Sequence, residues 1–389
     1  MGGLVWKATA YRFFDTFVLI FPFYTVMFTE HGMSPAQIGV ALAAWSLTGV
    51  VLEIPTGALA DRLSRRWLLF AAQVFRGAGF LLWALVPNFW GYLGGFVLWG
   101  VKSALVSGTF EALLFDELKA AGRAQDYARA MGRAQTGRFA GLMAAALIAA
   151  PLAGLGNYVL TLISSASSLV GAASALLLPR APKSAVTERR DYLGMMRRGL
   201  SEAVQRPGVL PILLFIAAMQ SLLAACEDYW QIFARDVGLS RPQIALFVAA
   251  LGAGQASAAA LAHRAPLDRP WSLPALVAVG GLVLAAAAAI FHPLASIVLA
   301  VAFTAMCRIA DVRADARFQH ALSGEARATV ASVKGFASQC AITLLILNFG
   351  LMAQFSAYRV AFLVHGVALA VLGTAYVLGA LRRRSLPEA

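Results

Sequence analysis

The stretch Glu53-Ile54-Pro55-Thr56-Gly57-Ala58-Leu59-Ala60-Asp61-Arg62-Leu63-Ser64-Arg65-Arg66-Trp67 decides how the rest of the chain is read. It ends one long apolar segment, gathers an acid and three arginines within a few residues, and opens another apolar segment. That order describes two membrane-crossing helices joined by a charged elbow. Gly57, without a side chain, lets two helices come close. Asp61 suits the positive N-terminus of a helix. Arg62, Arg65 and Arg66 belong in water or on anionic headgroups. An ordinary positively charged cytoplasmic loop reads the same way.

The surrounding composition agrees with a membrane environment. Of 389 residues, 60% are hydrophobic and 13% are charged, about half the charged share of a soluble domain. Twelve apolar segments can be drawn, at about 10–29, 36–58, 67–87, 90–117, 133–153, 156–178, 207–234, 241–262, 271–291, 293–317, 328–352 and 356–381. Residues 1–178 and 207–389 then form two six-span halves. Between them, 179–206 reads as a cytoplasmic linker, in which Tyr192, Met196, Leu200 and Val204 recur every four residues among arginines. That periodicity predicts an amphipathic helix on the membrane surface; a disordered basic linker is the alternative.

Basic residues set the orientation. Of 32 lysines and arginines, 25 fall at the expected inner loops, span ends or tails; Arg235 and Arg241 lie outside, and Arg76, Lys102, Arg308, Lys334 and Arg359 lie within spans. This places both termini in the cytoplasm. It also accounts for the net charge of +13 without nucleic-acid binding. Met1 to Lys7 lacks the features of a cleavable signal peptide, so the first apolar segment is expected to be a retained span.

Charge inside a membrane is costly and therefore a candidate for function. Span one carries Arg12 and Asp15, span two Glu53, and span three Arg76. Span four carries Lys102, Glu111 and, at its inner end, Asp116; span seven carries Glu227 and Asp228; span ten carries Arg308, Asp311, Arg313 and Asp315. Lys102 lies about 18 Å from the nearer outer end, too deep to snorkel, which favours a cavity position. Lys102 and Glu111 are nine residues apart, on opposite faces of a continuous helix, so they are not expected to share a cavity fully. Arg12 and Asp15 can pair with one another. Glu53 and Arg76 sit at similar depth on neighbouring helices, where a structural ion pair and a proton site are equally open readings. Tyr229 and Trp230 read either as cavity residues or as interfacial aromatics; Arg313 and Asp315 read as rim charges.

The pattern Gly57-xxx-Asp61-Arg62-x-Ser64-Arg65-Arg66 resembles the loop 2–3 signature of the major facilitator superfamily, a glycine, an acid four residues on, a base, a glycine and two bases. Ser64 stands in place of the second glycine. The resemblance implies an all-α membrane protein of twelve transmembrane helices in two pseudo-symmetric six-helix bundles, with spans one, four, seven and ten lining a central cavity. It implies a gating motif of Gly57, Asp61, Arg62, Arg65, Arg66 and Asp116, in which Asp116 or Glu117 meets Arg65 or Arg62. The run Glu325 to Ser332 is similar to the start of span eleven in efflux-type members, and the runs Ser107 to Leu113 and Tyr229 to Gln231 are similar to uncharacterised bacterial members. Two features depart from the family. The usual arginine of span four has no counterpart, Lys102 being a plausible stand-in. The span-five antiporter signature is met only loosely by Gly137, Gly141, Pro151 and Gly154.

These features lead to an expected function. Alternating access across the inner (plasma) membrane would move a small organic solute, with proton-coupled export as the first expectation. Uptake or uniport of an anionic or zwitterionic metabolite is the alternative. Proton-coupling candidates are Asp15, Glu53, Glu111 and Asp228. Substrate-cavity candidates are Arg12, Lys102, Glu227, Tyr229, Trp230, Gln231, Arg308 and Asp311. The partners expected are the solute, protons and membrane lipids, with no nucleic acid, and the chain is expected to be a monomer. Cys226, Cys307 and Cys340 show no metal or disulfide spacing, the five histidines are scattered, and no nucleophile elbow, phosphate loop or dinucleotide fingerprint occurs. No metal, cofactor or catalytic residue is therefore expected. A polytopic enzyme and a non-transporting sensor are remote alternatives.

Overall fold

A computed structural model describes residues 2–179, 201, 209–321 and 326–385. The side chains of Asp61, Arg62 and a few of their neighbours lie outside the described set, as does most of the expected amphipathic linker. Among the described residues the structure is helical, with no strand. Ten stretches among the described residues are long and apolar enough to cross a membrane. Contacts divide the described residues into two units, one up to 179 together with Ser240–Ala249, the other from 201 to Leu239 together with those from Ala250 on.

The first unit comprises α1 (Gly2–Thr16), α2 (Tyr24–Glu30), α3 (Pro35–Arg62), α4 (Arg65–Leu85), α5 (Phe89–Val106), α6 (Thr109–Ala120), α7 (Tyr127–Leu152) and α8 (Gly156–Leu176). Local sequence sets several starts. Ser34 accepts from Gln37 N while the Gln37 side chain accepts from Ser34 N, a complete capping box with Pro35 at the first helical position. Asn88 caps α5 through the amides of Trp90 and Gly91. The second unit contains α9 (Val209–Glu227), α10 (Trp230–Asp236), α11 (Arg241–Leu261, whose first residues belong to the first unit), α12 (Ser272–Ile290), α13 (Pro293–Ala321), α14 (Ala326–Phe355) and α15 (Tyr358–Ser385). Arg241 ties the start of α11 to the first unit through both carboxylate oxygens of Glu30, at 3.1 Å each.

Three of the expected continuous spans are broken. Span one is α1 and α2 with a turn between them, span four is α5 and α6 with Ser107-Gly108 between, and span seven is α9 and α10 with Asp228-Tyr229 between. At each break backbone groups leave the helical ladder and need other partners. In the first break the serine face of α8 supplies them. Ile20 N donates to Ser164 Oγ (2.9 Å), and Ser167 Oγ donates to the carbonyl of Phe17 (2.7 Å). In the second break Gly108 takes a left-handed conformation (φ 67°), which costs an L side chain about 1–2 kcal/mol.

Close packing holds α1 against α7. A methyl group at Gly137 or Gly141 would collide with the backbone carbonyls of Thr9 and Phe13. These two glycines, a loose match to an antiporter signature in sequence, therefore act as a small-residue helix contact. Gly57 behaves otherwise: no described atom lies within 4 Å of where its Cβ would stand, so the close approach expected there is not seen.

A charged chamber as the candidate functional site

In the first unit the chain layers apolar, polar and aromatic residues. Val5, Tyr11, Leu69, Phe110 and Leu113 are buried together near the elbow end. Toward the other end Tyr24, Phe28, Trp83, Tyr92 and Phe96 pack ring against ring. Between these layers lies a cavity of about 510 Å³, lined by Arg12, Asp15, Lys102, Ser107, Glu111 and Arg138 among others. That volume is within the range of small-molecule sites.

Asp15 is its buried hub. Its carboxylate is only 5% exposed and lies 2.7 Å from Lys102 Nζ, 3.6 Å from Arg76 and 3.8 Å from Arg12. Gln73 Nε2 donates to it at 2.7 Å. Burying a charge this far from water is tolerable only with such partners. Lys102 stands about 20 Å along α5 from Phe89, by helical rise, and its side chain is 11% exposed.

Arg76 also holds the break in span one. Because α1 ends at Thr16, its last carbonyls have no helical partner. Arg76 donates to the carbonyls of Phe14 (3.1 Å) and Asp15, and further to Gln73 Oε1 (2.6 Å) and Ser168 Oγ (3.1 Å). A cation at a helix C-terminus is favourable on electrostatic grounds as well. Of the two readings open for Glu53 and Arg76, the ion pair is not formed among the described residues. Glu53 is exposed on α3 and has no ion-pair partner among the described residues.

Arg12 bridges the buried and open sides of the chamber. Its guanidinium lies over the Phe110 ring at 4.1 Å and meets Glu111 at 2.6 Å, and its Nε is buried without a partner. Glu111 is the accessible acid, with 40% of its side chain exposed. Its joint presence with Lys102 corrects the opposite-face expectation. The break at Ser107-Gly108 re-aims the chain, so both residues line one cavity.

At the elbow end Arg65 pairs with Asp116, one of the pairings the elbow motif implied. Arg66 reaches the carbonyls of Leu176 (3.3 Å) and Leu178 (3.4 Å) instead.

The second unit disperses its candidates. Arg308 pairs with Asp311 at 3.1 Å, and Gln220 Nε2 donates to Asp311 at 2.6 Å. Arg308 is 40% exposed, about 22 Å along α13 from Pro293 by helical rise. Lys334 pairs with Asp315 and Arg313 with Asp268, each at 2.7 Å. Tyr229 and Trp230 are both buried. Tyr229 stacks on Phe349 at 4.3 Å and donates to the carbonyl of Ile346, while Trp230 packs on Phe362 at 4.8 Å. Gln231 is buried beside them, Glu227 is exposed and Asp228 half-buried at the helix break. This unit also holds a cavity of about 640 Å³ with mainly apolar walls, including Pro211, Phe215, Pro274 and Tyr376. Arg317 on its wall donates to the carbonyls of Leu267 and Arg269.

Sequence reading missed Tyr11, Gln73, Ser164, Ser167 and Ser168, all polar and buried. The run Ser164-Ser165-Ala166-Ser167-Ser168 in an apolar span was the signal for the last three: so many hydroxyls in one span imply backbone that needs partners.

With this geometry in place the chain can be set beside known proteins. A family model for the Major Facilitator Superfamily matches residues 6–226. The chain belongs to that superfamily. The family is one of membrane transporters and not an enzyme class. A curated relative, the inner membrane transport protein YajR of Escherichia coli (strain K12), is 36% identical over 85 residues, which is 22% of this chain and 18% of that protein. Similarity over the whole fold comes from solved structures. A mutant of the nucleoside transporter NupG superposes with a TM-score of 0.81 at 13% identity, covering 96% of this chain and 99% of the other. A bacterial homologue of the human lysosomal transporter Spinster, inward-facing and occupied, gives 0.76 at 17% identity, covering 98% and 96%. A D-xylose-proton symporter gives 0.70 at 15% identity, covering 97% and 95%. At these identities the likeness is one of fold.

Proposed function

We propose that this superfamily member is a secondary active transporter that moves a small organic solute across the inner membrane by alternating access, coupled to protons. The observation that carries the reading is the chamber of Arg12, Asp15, Lys102 and Glu111. Charges that deep in a spanning unit are favourable only if they face water or one another, and here they border a cavity of about 510 Å³. Twelve crossings follow if α1 with α2, α5 with α6, and α9 with α10 each make one and the other helices one apiece; the basic loops then put both termini in the cytoplasm. Such a chain carries both six-helix bundles itself and works as a monomer. The Arg65–Asp116 pair serves as a cytoplasmic latch that opens and closes during the cycle. Export is supported by the efflux-like run Glu325 to Ser332 of the sequence.

The excess of cations in the chamber supports a second reading of the solute, an anionic or zwitterionic metabolite moving in either direction. Flux in vesicles carrying the purified protein, measured with and without an imposed pH gradient, tests the coupling. Flux faster with the gradient than without it is expected. Flux indifferent to the gradient, and to Gln at Glu111 and Glu53, would remove proton coupling and leave uniport.

A further inference from the structure

Around Asp15 the charges do not balance. Among the described ion pairs, three cations, Arg12 and Lys102 on the cavity wall and Arg76 behind it, meet two carboxylates, Asp15 and Glu111. The cavity also opens on the N-terminus of α6, whose cap residue Gly108 offers no side-chain hydrogen bond. The first amides of that twelve-residue helix are thus unmet by a cap, and its positive end favours an anion. Arg12 Nε, buried and without a partner, is a further donor beside the same cavity.

Resting on the transporter reading above, we propose that the solute carries a carboxylate-type oxyanion, and that this group takes the place of Glu111 on Arg12. Glu111 presents to Arg12 the same two-oxygen anion that the solute would bring. It is also the one carboxylate of the chamber with open access to water, at 40% exposure against 5% for Asp15. Asp15 is held by three cations and a glutamine and stays in place. Arg12 keeps its seat on Phe110 and its contact with Asp15 while its outer edge changes partner. In the exchange the released Glu111 carboxylate is neutralised by one proton supplied by the buffer through the chamber, so that one anion and one proton bind at the site and its net charge is unchanged. The charged and titratable groups that the structure sets beside Glu111 are Arg12 and Asp15 on α1, Lys102 on α5, and Tyr127 and Arg138 on α7. Arg12 is in direct contact with Glu111, at 2.6 Å.

The test uses the full chain in detergent, with benzoate and its neutral counterpart benzamide as probes, read by thermal stabilisation and by buffer-dependent calorimetry. Benzoate is expected to stabilise the native protein more than benzamide and to draw about one proton from the buffer. Glu111→Gln removes the internal competitor and is expected to bind benzoate about tenfold tighter, with proton uptake lost. Lys102→Met is expected to bind it weaker; if that variant melts without cooperativity, Arg12→Lys, which keeps the charge but not the two-pronged geometry, is expected to weaken benzoate binding instead. Equal stabilisation by benzamide, no stabilisation by benzoate, or weaker benzoate binding in Glu111→Gln would each overturn the exchange. The two readings fail separately: normal vesicle flux with these results leaves a transporter of another solute class, whereas benzoate binding as expected with no flux of any solute leaves the anion site and removes the transporter.

Discussion

Lys102 Nζ lies 2.7 Å from Asp15 Oδ1, with both side chains nearly closed off from water. Two charges so placed stabilise one another, yet each strands the other when removed. Asp15→Asn is therefore expected to destabilise the protein by about 3–5 kcal/mol. Adding Lys102→Met to that variant is expected to recover part of the loss, a coupling of about 1–3 kcal/mol. Thermal unfolding of the two single variants and the double variant measures it. Strictly additive losses would mean that the pair is not coupled.

The Arg65–Asp116 pair is partly open to water, with side-chain exposures of 18% and 29%. A pair of that kind contributes at most about 1 kcal/mol to stability. Asp116→Asn should thus fold normally while lowering transport, and the exchange Arg65→Asp with Asp116→Arg should restore part of it. Full flux in Asp116→Asn would take the pair out of the cycle.

Gly108 matters for its backbone angle, since no described atom lies within 4 Å of where its Cβ would stand. Gly108→Ala is expected to cost about 1–2 kcal/mol, and Gly108→Asn less, because asparagine enters the left-handed region more readily. Gly141→Ala fails for a different reason: its methyl meets the backbone of Phe13, so asparagine there should be worse than alanine. Melting temperatures of these variants separate the two mechanisms.

Glu53 and Glu111 are both accessible acids, but only Glu111 has a described ion-pair partner. Glu53→Gln is expected to change stability by no more than about 0.5 kcal/mol and to leave flux dependent on the pH gradient. Glu111→Gln is expected to abolish that dependence. The opposite pattern would move the coupling proton to Glu53.

Much of this architecture could be read from the residues. The elbow from Glu53 to Trp67 identified the hairpin, the apolar segments located the helices, and the deep charges Asp15, Lys102 and Glu111 marked the chamber. What escaped were facts of geometry that no periodicity carries. A count of nine residues separates Lys102 from Glu111 on a straight helix, but Gly108 breaks the helix, and a glycine in sequence does not announce a left-handed angle. Depth alone leaves a Glu53–Arg76 ion pair open, whereas the end of α1 offers Arg76 both Asp15 and free carbonyls. Tyr229 and Trp230 sat among charged residues in sequence and packed into an aromatic core in space, because neighbours along the chain do not fix which face is buried.

The central claim is that the chamber is a water-filled solute site, and Ser107, exposed on its wall, offers the most direct test of it. Ser107→Cys, in a chain whose Cys226, Cys307 and Cys340 are replaced by alanine, would be treated with a membrane-impermeant, negatively charged thiol reagent in vesicles of both orientations. The account predicts rapid labelling that a transported solute slows. Reaction with lipid-permeable reagents alone would contradict it, by showing that these charged side chains have no aqueous path beside them.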